Sequence, residues 1–376
     1  MLRPRPRCAA GAGPVHPYTD EEPMRNALSA LAAALVLTTA AAFRPAAEPT
    51  EGTWTIGTDR RDGQLQMNLT YGHTSNWGRG VPRQDLVGLT DEQINSPTSV
   101  PVAFRIQRDP GTFSMQGFFH QGHGAGDFTF TPNRQFAAAL RSAGMSGDID
   151  DEDLMNLALA DMTQARAREL NAIMGRLTAQ DLVKLGIFDI TPEYVRDLRS
   201  LGIEGTNTTE GVVELKIAHI TPQYVHDMER AGYRNLTRRQ LVEMGIQRVD
   251  AGFVAEVQRM GFHDLTPAEL VQLRIFHVTP EVVSGLRAAG FTDLTPQGVV
   301  EMQIHHVTPG YVHALAELGY RNLSRDVLMQ MGIHGVTPDF IRQVRAAGFT
   351  NVPPETLVKM KIFGISVNDL REANVQ

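Results

Sequence analysis

The chain has 376 residues, which at about 100–200 residues per domain indicates two or three domains. Hydrophobic residues make up 42% and charged residues 20%, a composition typical of a chain that folds around an apolar core. The formal net charge of −7 argues against a nucleic-acid-binding protein, because such proteins usually carry a basic patch. Cys8 is the only cysteine, so an intramolecular disulfide and a multi-cysteine zinc site are both excluded.

Residues 1–42 are predicted to be a leader. Met24-Arg25-Asn26 gives a basic start, residues 27–42 form an uncharged run rich in Leu and Ala, and Ala40-Ala41-Ala42 fits the small-residue cleavage rule. We therefore predict a signal peptide over about 24–42 and an exported chain that is periplasmic or secreted. The alternative is a transmembrane anchor, but an apolar span needs about 20 residues. No stable membrane span is expected after the leader is removed.

Residues 43–135 are predicted to form a small antiparallel β domain of four or five strands. Apolar and polar residues alternate from Leu65 to Tyr71 and from Val102 to Ile106, the pattern of strands with one buried face. Asp109-Pro110-Gly111 separates two such runs, so a hairpin is predicted over 101–118. The remaining features are predicted to be a turn at the glycine-rich stretch 121–126, a long loop over 72–100, and a core aromatic at Trp54.

The second half of the chain is an internal repeat. Glycines recur at intervals of 29 residues, at Gly232, Gly261, Gly290, Gly319 and Gly348. Seven units are predicted over 177–376, the last one truncated, and 136–176 are predicted to be capping or linker helices that join the β domain to the array.

Each unit is predicted to hold two short helices. In one unit these begin at Thr266-Pro267 and Thr279-Pro280, and the second helix stops at Gly290. One unit is too small to bury its own apolar face, so neighbouring units are expected to stack into a solenoid. The predicted fold class is therefore α+β, with a small antiparallel β region followed by an all-α helical-hairpin repeat solenoid.

The turn between the two helices of a unit, here called the elbow, carries the candidate binding residues. Three phenylalanines share one elbow position and are expected to be exposed, because the flanking Ile and Val are expected in the core. Three histidines share the next position. We predict a partner-binding ridge made of Phe188, Phe276, Phe363, His219, His277 and His306. The alternatives are phenylalanines that pack against the adjacent elbow and histidines that are merely solvated.

Sequence motifs for catalysis are absent. The chain contains no His-Glu-x-x-His, no Gly-x-Ser-x-Gly and no glycine-rich phosphate loop, so no catalytic residue and no cofactor are predicted. His120 and His123 are weak candidate metal ligands, because Asp127 is the only nearby carboxylate and zinc sites use at least three protein ligands. Glycines in three first helices resemble a helix-hairpin-helix DNA clamp, but other units replace them, and no nucleic-acid partner is expected.

The unit Leu-Thr-x-x-x-Leu-Val-x-Met-x-Ile-x-x-Val-Thr-Pro-x-Tyr-Val-x-x-Leu-x-x-x-Gly-Tyr resembles repeats in the extracytoplasmic C-terminal extensions of some bacterial membrane metallopeptidases. These are beta-lactam-responsive proteins of the Bla-regulator type. The hairpin at Val102–Phe113 is similar to the β segment before such repeats. The resemblance implies a bacterial exported sensor or interaction module. Peptidase activity is not carried over, because the His-Glu-x-x-His motif is missing.

These observations together predict an exported non-enzymatic binding protein, a protein-protein interaction or sensory module of the bacterial envelope. Its partner is expected to be another envelope protein. Two alternatives stay open: an exported metal-dependent hydrolase that uses His120 and His123, and a structural envelope spacer.

Overall fold

The computed structural model describes residues 50–58, 65–72, 75–366 and 368–369. The predicted leader and Cys8 lie outside these described residues. From Thr50 onward the chain forms one unit in which a β-sheet is followed by helices in tandem. The predicted α+β fold class with helical repeats is confirmed.

Within the described residues, six antiparallel strands form one sheet in the order β3-β2-β1-β6-β5-β4. In chain order they are β1 (Glu51–Thr58), β2 (Leu65–Tyr71), β3 (Ser75–Val81), β4 (Val100–Arg108), β5 (Gly111–His120) and β6 (His123–Pro132). The predicted alternation is confirmed, since Val102, Phe104 and Ile106 are buried and the residues between them are exposed. The predicted hairpin is confirmed as well, because β4 pairs with β5 over its whole length.

The segment 72–100 is not the long loop that its composition predicts. It contains β3, a 3-10 helix at Arg83–Asp85 and a one-turn α-helix, α1 (Asp91–Ile94). β3 has no apolar alternation, because it is an edge strand that pairs only with β2 and buries only Val81. After β3 the chain crosses to the opposite edge of the sheet, where Val87 pairs with Arg105.

The turn predicted at 121–126 is shorter than the glycine content indicates. Only Gln121 and Gly122 form it, with φ of 49° and 81°, and Gly124 and Gly126 belong to β6. The glycines inside the strands therefore need another explanation.

Close contacts across the sheet explain these glycines, and one of those contacts is with Trp54. Trp54 is 1% exposed and lies in the core, as predicted. A Cβ on Gly117 would lie 2.8 Å from Trp54 Cζ2, and a Cβ on its register partner Gly126 would lie 2.5 Å from the Gly117 Cα. The indole Nε1 donates to the carbonyl oxygens of Gln116 and Asp127, each at 3.1 Å. Glycine is required at 117 because a side chain would occupy the space of the indole, and at 124 because a Cβ would lie 2.5 Å from the Phe119 ring.

The first long helix, α2 (Arg134–Ser142), begins two residues before the predicted boundary at 136. Thr131-Pro132 still belongs to β6, and Pro132 is the register partner of Gly111. The N-cap is Asn133, whose Oδ1 accepts a hydrogen bond from the Gln135 N–H at 3.1 Å.

The apolar face of the sheet packs against the first helices. α3 (Asp151–Leu159) contacts β5 and β6. One apolar cluster contains buried side chains of the sheet, of α2 and α3, and of the next helices, and it runs from Trp54 to Val212. The sheet therefore covers the apolar end of the helical array, as terminal caps do in solenoids.

The helices form two rows, because the packed helix pairs are those two positions apart in the chain. The row of first helices consists of α3, α5 (Ala179–Ile187), α7 (Thr209–Ile217), α9 (Arg238–Ile246), α11 (Pro267–Ile275), α13 (Pro296–Ile304), α15 (Arg325–Ile333) and α17 (Pro354–Ile362). The row of second helices consists of α2, α4 (Gln164–Met174), α6 (Pro192–Ser200), α8 (Pro222–Arg230), α10 (Ala251–Arg259), α12 (Pro280–Ala288), α14 (Pro309–Glu317) and α16 (Pro338–Ala346).

The helix ends follow the predicted signals. Thr266 and Glu269 form a capping box, in which the Thr266 N–H donates to Glu269 Oε2 at 2.8 Å. Gly290 has φ of 101°, and the next N–H, that of Phe291, donates to the Leu286 carbonyl oxygen at 3.1 Å. This closes the last turn of the second helix as a Schellman motif.

Tyrosines on three second helices fasten their units to the following ones. Their hydroxyls donate to the buried elbow carbonyl of the following unit, from Tyr194 to Ile220 at 2.8 Å, from Tyr224 to Val249 at 2.7 Å and from Tyr311 to Val336 at 2.8 Å. Burial raises the pKa of Tyr311 to about 12, and burial also raises the pKa of the other two hydroxyls.

The apolar core of the array is divided along its length. The cluster under the sheet ends at Val212, a small cluster runs from Leu198 to Val242, and a third runs from Met228 to Met360. Each unit thus contacts its nearest neighbours, which is the arrangement of a solenoid.

Candidate binding surface

The elbows have one repeated backbone conformation. Between α11 and α12, Ile275 ends the first helix, Phe276 follows it, and His277 adopts the left-handed conformation with φ of 51°. Val278 is 1% exposed, and its N–H donates to the Leu273 carbonyl oxygen at 2.9 Å. The chain therefore reverses with its backbone hydrogen bonds satisfied, and the residue three places after the last helical isoleucine is buried.

The last residue of the first helix is isoleucine in all seven predicted units, and most of these side chains are exposed. The exposed fraction is 61% at Ile187, 47% at Ile217, 37% at Ile275, 43% at Ile304, 47% at Ile333 and 53% at Ile362, and Ile246 is half-buried. We call these seven side chains the isoleucine ridge.

The isoleucine ridge corrects the expectation that the flanking Ile and Val both lie in the core. Only the residue after the left-handed position lies in the core. Six of these residues are at most 1% exposed: Ile190, Ile220, Val249, Val278, Val307 and Val336. Both columns are β-branched and apolar, so residue type alone does not distinguish them. Position in the elbow distinguishes them, because the buried residue follows the end of the first helix by three residues.

The phenylalanines are less exposed than predicted. Phe188 and Phe276 are half-buried and pack against the apolar clusters beside them. Phe363 is 74% exposed, because no described unit follows it. The expected exposure of Phe188 and Phe276 is therefore wrong, and the exposed apolar column lies one residue earlier.

The three elbow histidines are exposed, and the backbone explains their position. His219, His277 and His306 have φ of 58°, 51° and 59°, and Gly335 and Gly364 fill the same position in later units. Left-handed backbone favours glycine and tolerates few other residues, so this column varies under a conformational constraint. The structure brings the histidines to one side of the array, beside the isoleucine ridge.

Cationic side chains stand directly before several ridge residues. Lys216 Nζ donates to the Asp189 carbonyl oxygen at 3.1 Å, Arg274 lies 4.7 Å from the ring centre of Phe253, and Lys361 Nζ lies 4.9 Å from that of Phe340. These contacts hold positive charge next to the isoleucines. In the sequence these cations occupy the position that is glycine in three other units.

Where glycine stands at this position, the backbones of adjacent units approach closely. A Cβ on Gly186 would lie 2.6 Å from the Ala160 carbonyl oxygen, and a Cβ on Gly332 would lie 3.0 Å from Val307 Cγ2. These glycines therefore serve packing between units, and they face protein in this array.

His120 and His123 are paired across the β5–β6 turn. Both are exposed, and His120 Nε2 lies 3.1 Å from the Pro97 carbonyl oxygen. Asp127 is register-paired with Gln116 further along the strands. Among the described residues, no group of three or more His, Cys, Asp or Glu side chains is placed to hold a metal ion.

Comparisons with protein-family models, with curated proteins and with solved structures found no match to this chain. In the described part of the chain, no helix has the length and apolarity needed to cross a membrane.

Proposed function

We propose that this chain is an exported, non-enzymatic binding protein of the bacterial envelope, and that it holds another envelope protein along the isoleucine ridge. The observation that carries the proposal is the exposure of the ridge, which is 37–61% at six of its seven side chains. A row of exposed apolar side chains along one side of an array suits a contact site.

Folding explains the ridge isoleucines only in part. Isoleucine is a poorer helix former than Leu, Lys, Arg or Glu, so helix propensity does not favour it at a surface position. Burial rewards it only in part, because much of each side chain remains in water. The next position varies between units, as Phe188, Ala218, Gln247, Phe276, His305, His334 and Phe363. A constant exposed residue beside a variable one is best explained by a shared ligand.

The length of the ridge suits an extended partner. Packed helices lie about 8–10 Å apart, so the six intervals between seven isoleucines span on the order of 50–60 Å. Solenoids characteristically bind along such surfaces.

The positive charge beside the ridge indicates the chemistry of the partner surface. Lys216, Arg274 and Lys361 stand next to ridge isoleucines in a chain whose formal net charge is −7. A partner surface that combines apolar side chains with acidic ones is complementary to both features.

Crosslinking capture from native envelope extract tests the proposal. The bait is the full chain, expressed with its own leader and a C-terminal tag, and captured proteins are identified by mass spectrometry. A second bait carries Ile187→Ser, Ile275→Ser and Ile333→Ser. We expect a partner that the first bait captures and the second loses, while the far-ultraviolet circular dichroism of the two baits is the same.

A matched control variant carries Phe118→Ser and Val87→Ser. These side chains are 60% and 46% exposed and lie in the β region, away from the ridge. The control is expected to keep the partner. Capture that survives the ridge substitutions, or that the control loses equally, would contradict the proposal. Absence of any specific partner would favour the spacer.

A further inference from the structure

A cavity of about 530 Å³ lies between the β-sheet and the end of α3. Its walls come from β2, β3, β4 and β5, from the 3-10 helix and from the last turn of α3. The volume falls within the range of about 300–1,000 Å³ that is typical of small-molecule sites. It is separate from the isoleucine ridge, and the inference below does not rest on the proposed function.

The floor of the cavity is apolar. Met67, Ile106 and Phe113 are 3%, 4% and 2% exposed, and Leu159 of α3 closes the far side. Trp77 of β3 is half-buried and forms part of the wall. These side chains suit a ligand with an apolar body of aliphatic or aromatic carbon.

An arginine stands on the apolar face of the sheet at this cavity. Arg79 is the register partner of Met67, and register partners of an antiparallel pair project to the same face. Its guanidinium is exposed at the rim and makes no hydrogen bond or ion pair within the described part of the chain. The guanidinium is therefore available to an anion that enters the cavity. Its planar donors match a carboxylate.

Another part of the cavity lining carries an excess of negative charge. Arg108 Nη2 lies 2.6 Å from Asp85 Oδ2, and Arg108 Nε lies 2.8 Å from Asp161 Oδ1. One guanidinium thus serves two carboxylates, and the trio has a formal charge of −1. A ligand with a second anionic group would meet repulsion on this side.

We propose that this cavity binds a small organic monocarboxylate, with its carboxylate on Arg79 and its apolar body against Trp77, Met67 and Phe113. The chemistry predicts an order of preference. A monoanion with an apolar tail binds better than a neutral molecule of the same tail, which forgoes the contact with Arg79. It also binds better than a dianion of the same length, which meets the Asp85 and Asp161 side.

Sodium octanoate is the first probe, with octan-1-ol and octanedioate as matched ligands. Binding is measured on the full chain by isothermal titration calorimetry and by tryptophan fluorescence. Of the two tryptophans of the chain, Trp77 lines the cavity and Trp54 does not, so a change in emission on binding is assigned to Trp77. We expect octanoate to bind at least tenfold more tightly than either matched ligand.

Arg79→Gln is the test variant, and its exposed side chain makes misfolding no concern. Arg105→Gln is the control, because Arg105 lies on the solvent-facing side of the same sheet. We expect Arg79→Gln to weaken octanoate binding at least tenfold and Arg105→Gln to change it less than twofold. The proposal is overturned if octanoate does not bind at millimolar concentration, if octan-1-ol or octanedioate binds equally well, or if the two variants behave alike.

Discussion

Two substitutions in one elbow separate the buried apolar column from the exposed one. Val336 is 1% exposed, and Ile333, three residues earlier, is 47% exposed. Val336→Ala and Ile333→Ala both shorten a β-branched side chain to the same residue. We expect Val336→Ala to lower the free energy of unfolding far more than Ile333→Ala, although it removes fewer atoms.

The magnitudes follow from burial. Val336→Ala removes two buried carbon groups at about 0.8 kcal/mol each, and the unfilled space raises the cost to about 2–3 kcal/mol. Ile333→Ala removes more carbon, but about half of the side chain is already in water. Alanine also forms helix better than isoleucine by a few tenths of a kcal/mol. The net cost of Ile333→Ala is therefore expected to stay under about 1 kcal/mol.

Urea unfolding followed by far-ultraviolet circular dichroism measures both variants against the unchanged chain. The slope with denaturant is compared first, because a repeat array can unfold in stages and a changed slope would reveal this. Amide hydrogen exchange of α15 and α16 then locates the loss. Equal costs for the two substitutions, or a larger cost for Ile333→Ala, would refute the assignment of inner and outer columns.

Three further predictions follow. Stability is expected to fall as the pH rises from 10 to about 12, because the unfolded chain releases the Tyr311 proton near pH 10 while the folded chain retains it. In unfolding measured against pH, Tyr311→Phe should reduce the loss of stability over this range. Gly117→Val should displace Trp54, shown by a red-shifted emission spectrum and a cost of about 3 kcal/mol or more; an unchanged spectrum would contradict the packing. The purified chain should hold no stoichiometric zinc, so His120→Ala with His123→Ala should leave elemental analysis unchanged; metal that only the unchanged chain retains would support the hydrolase alternative.

Much of the helical array follows from the sequence because its helix ends depend on local interactions. The Thr266-Pro267 start and the Gly290 stop act within one turn of helix, and both are confirmed. The same holds for the β4–β5 hairpin, where Pro110 and Gly111 set the turn between two alternating runs.

The features that sequence analysis missed depend on distant contacts. β3 becomes a strand because β2 offers it an edge, and its own residues carry little β signal. Gly124 and Gly126 look like a turn until their close neighbours across the sheet, Phe119 and Gly117, are known. Neither contact can be predicted from the sequence pattern of the strand itself.

The candidate surfaces show the same division. The constancy of the isoleucine column is visible in the sequence, but its exposure depends on how the elbow turns between two packed rows. The cavity beside Arg79 was not predicted at all, because its walls come from segments as far apart as β2 and the end of α3.

The sheet at the start of the array has a consequence for the order of folding. Its apolar cluster reaches only to Val212, and later units contact mainly their immediate neighbours. A chain that emerges from the ribosome N-terminus first therefore completes the sheet and its first helices before the rest exists. Each later unit then meets a finished template and closes onto it through a few local contacts. Growth of the array resembles the addition of subunits to a seeded filament, in which the seed is formed once and elongation needs no new nucleus.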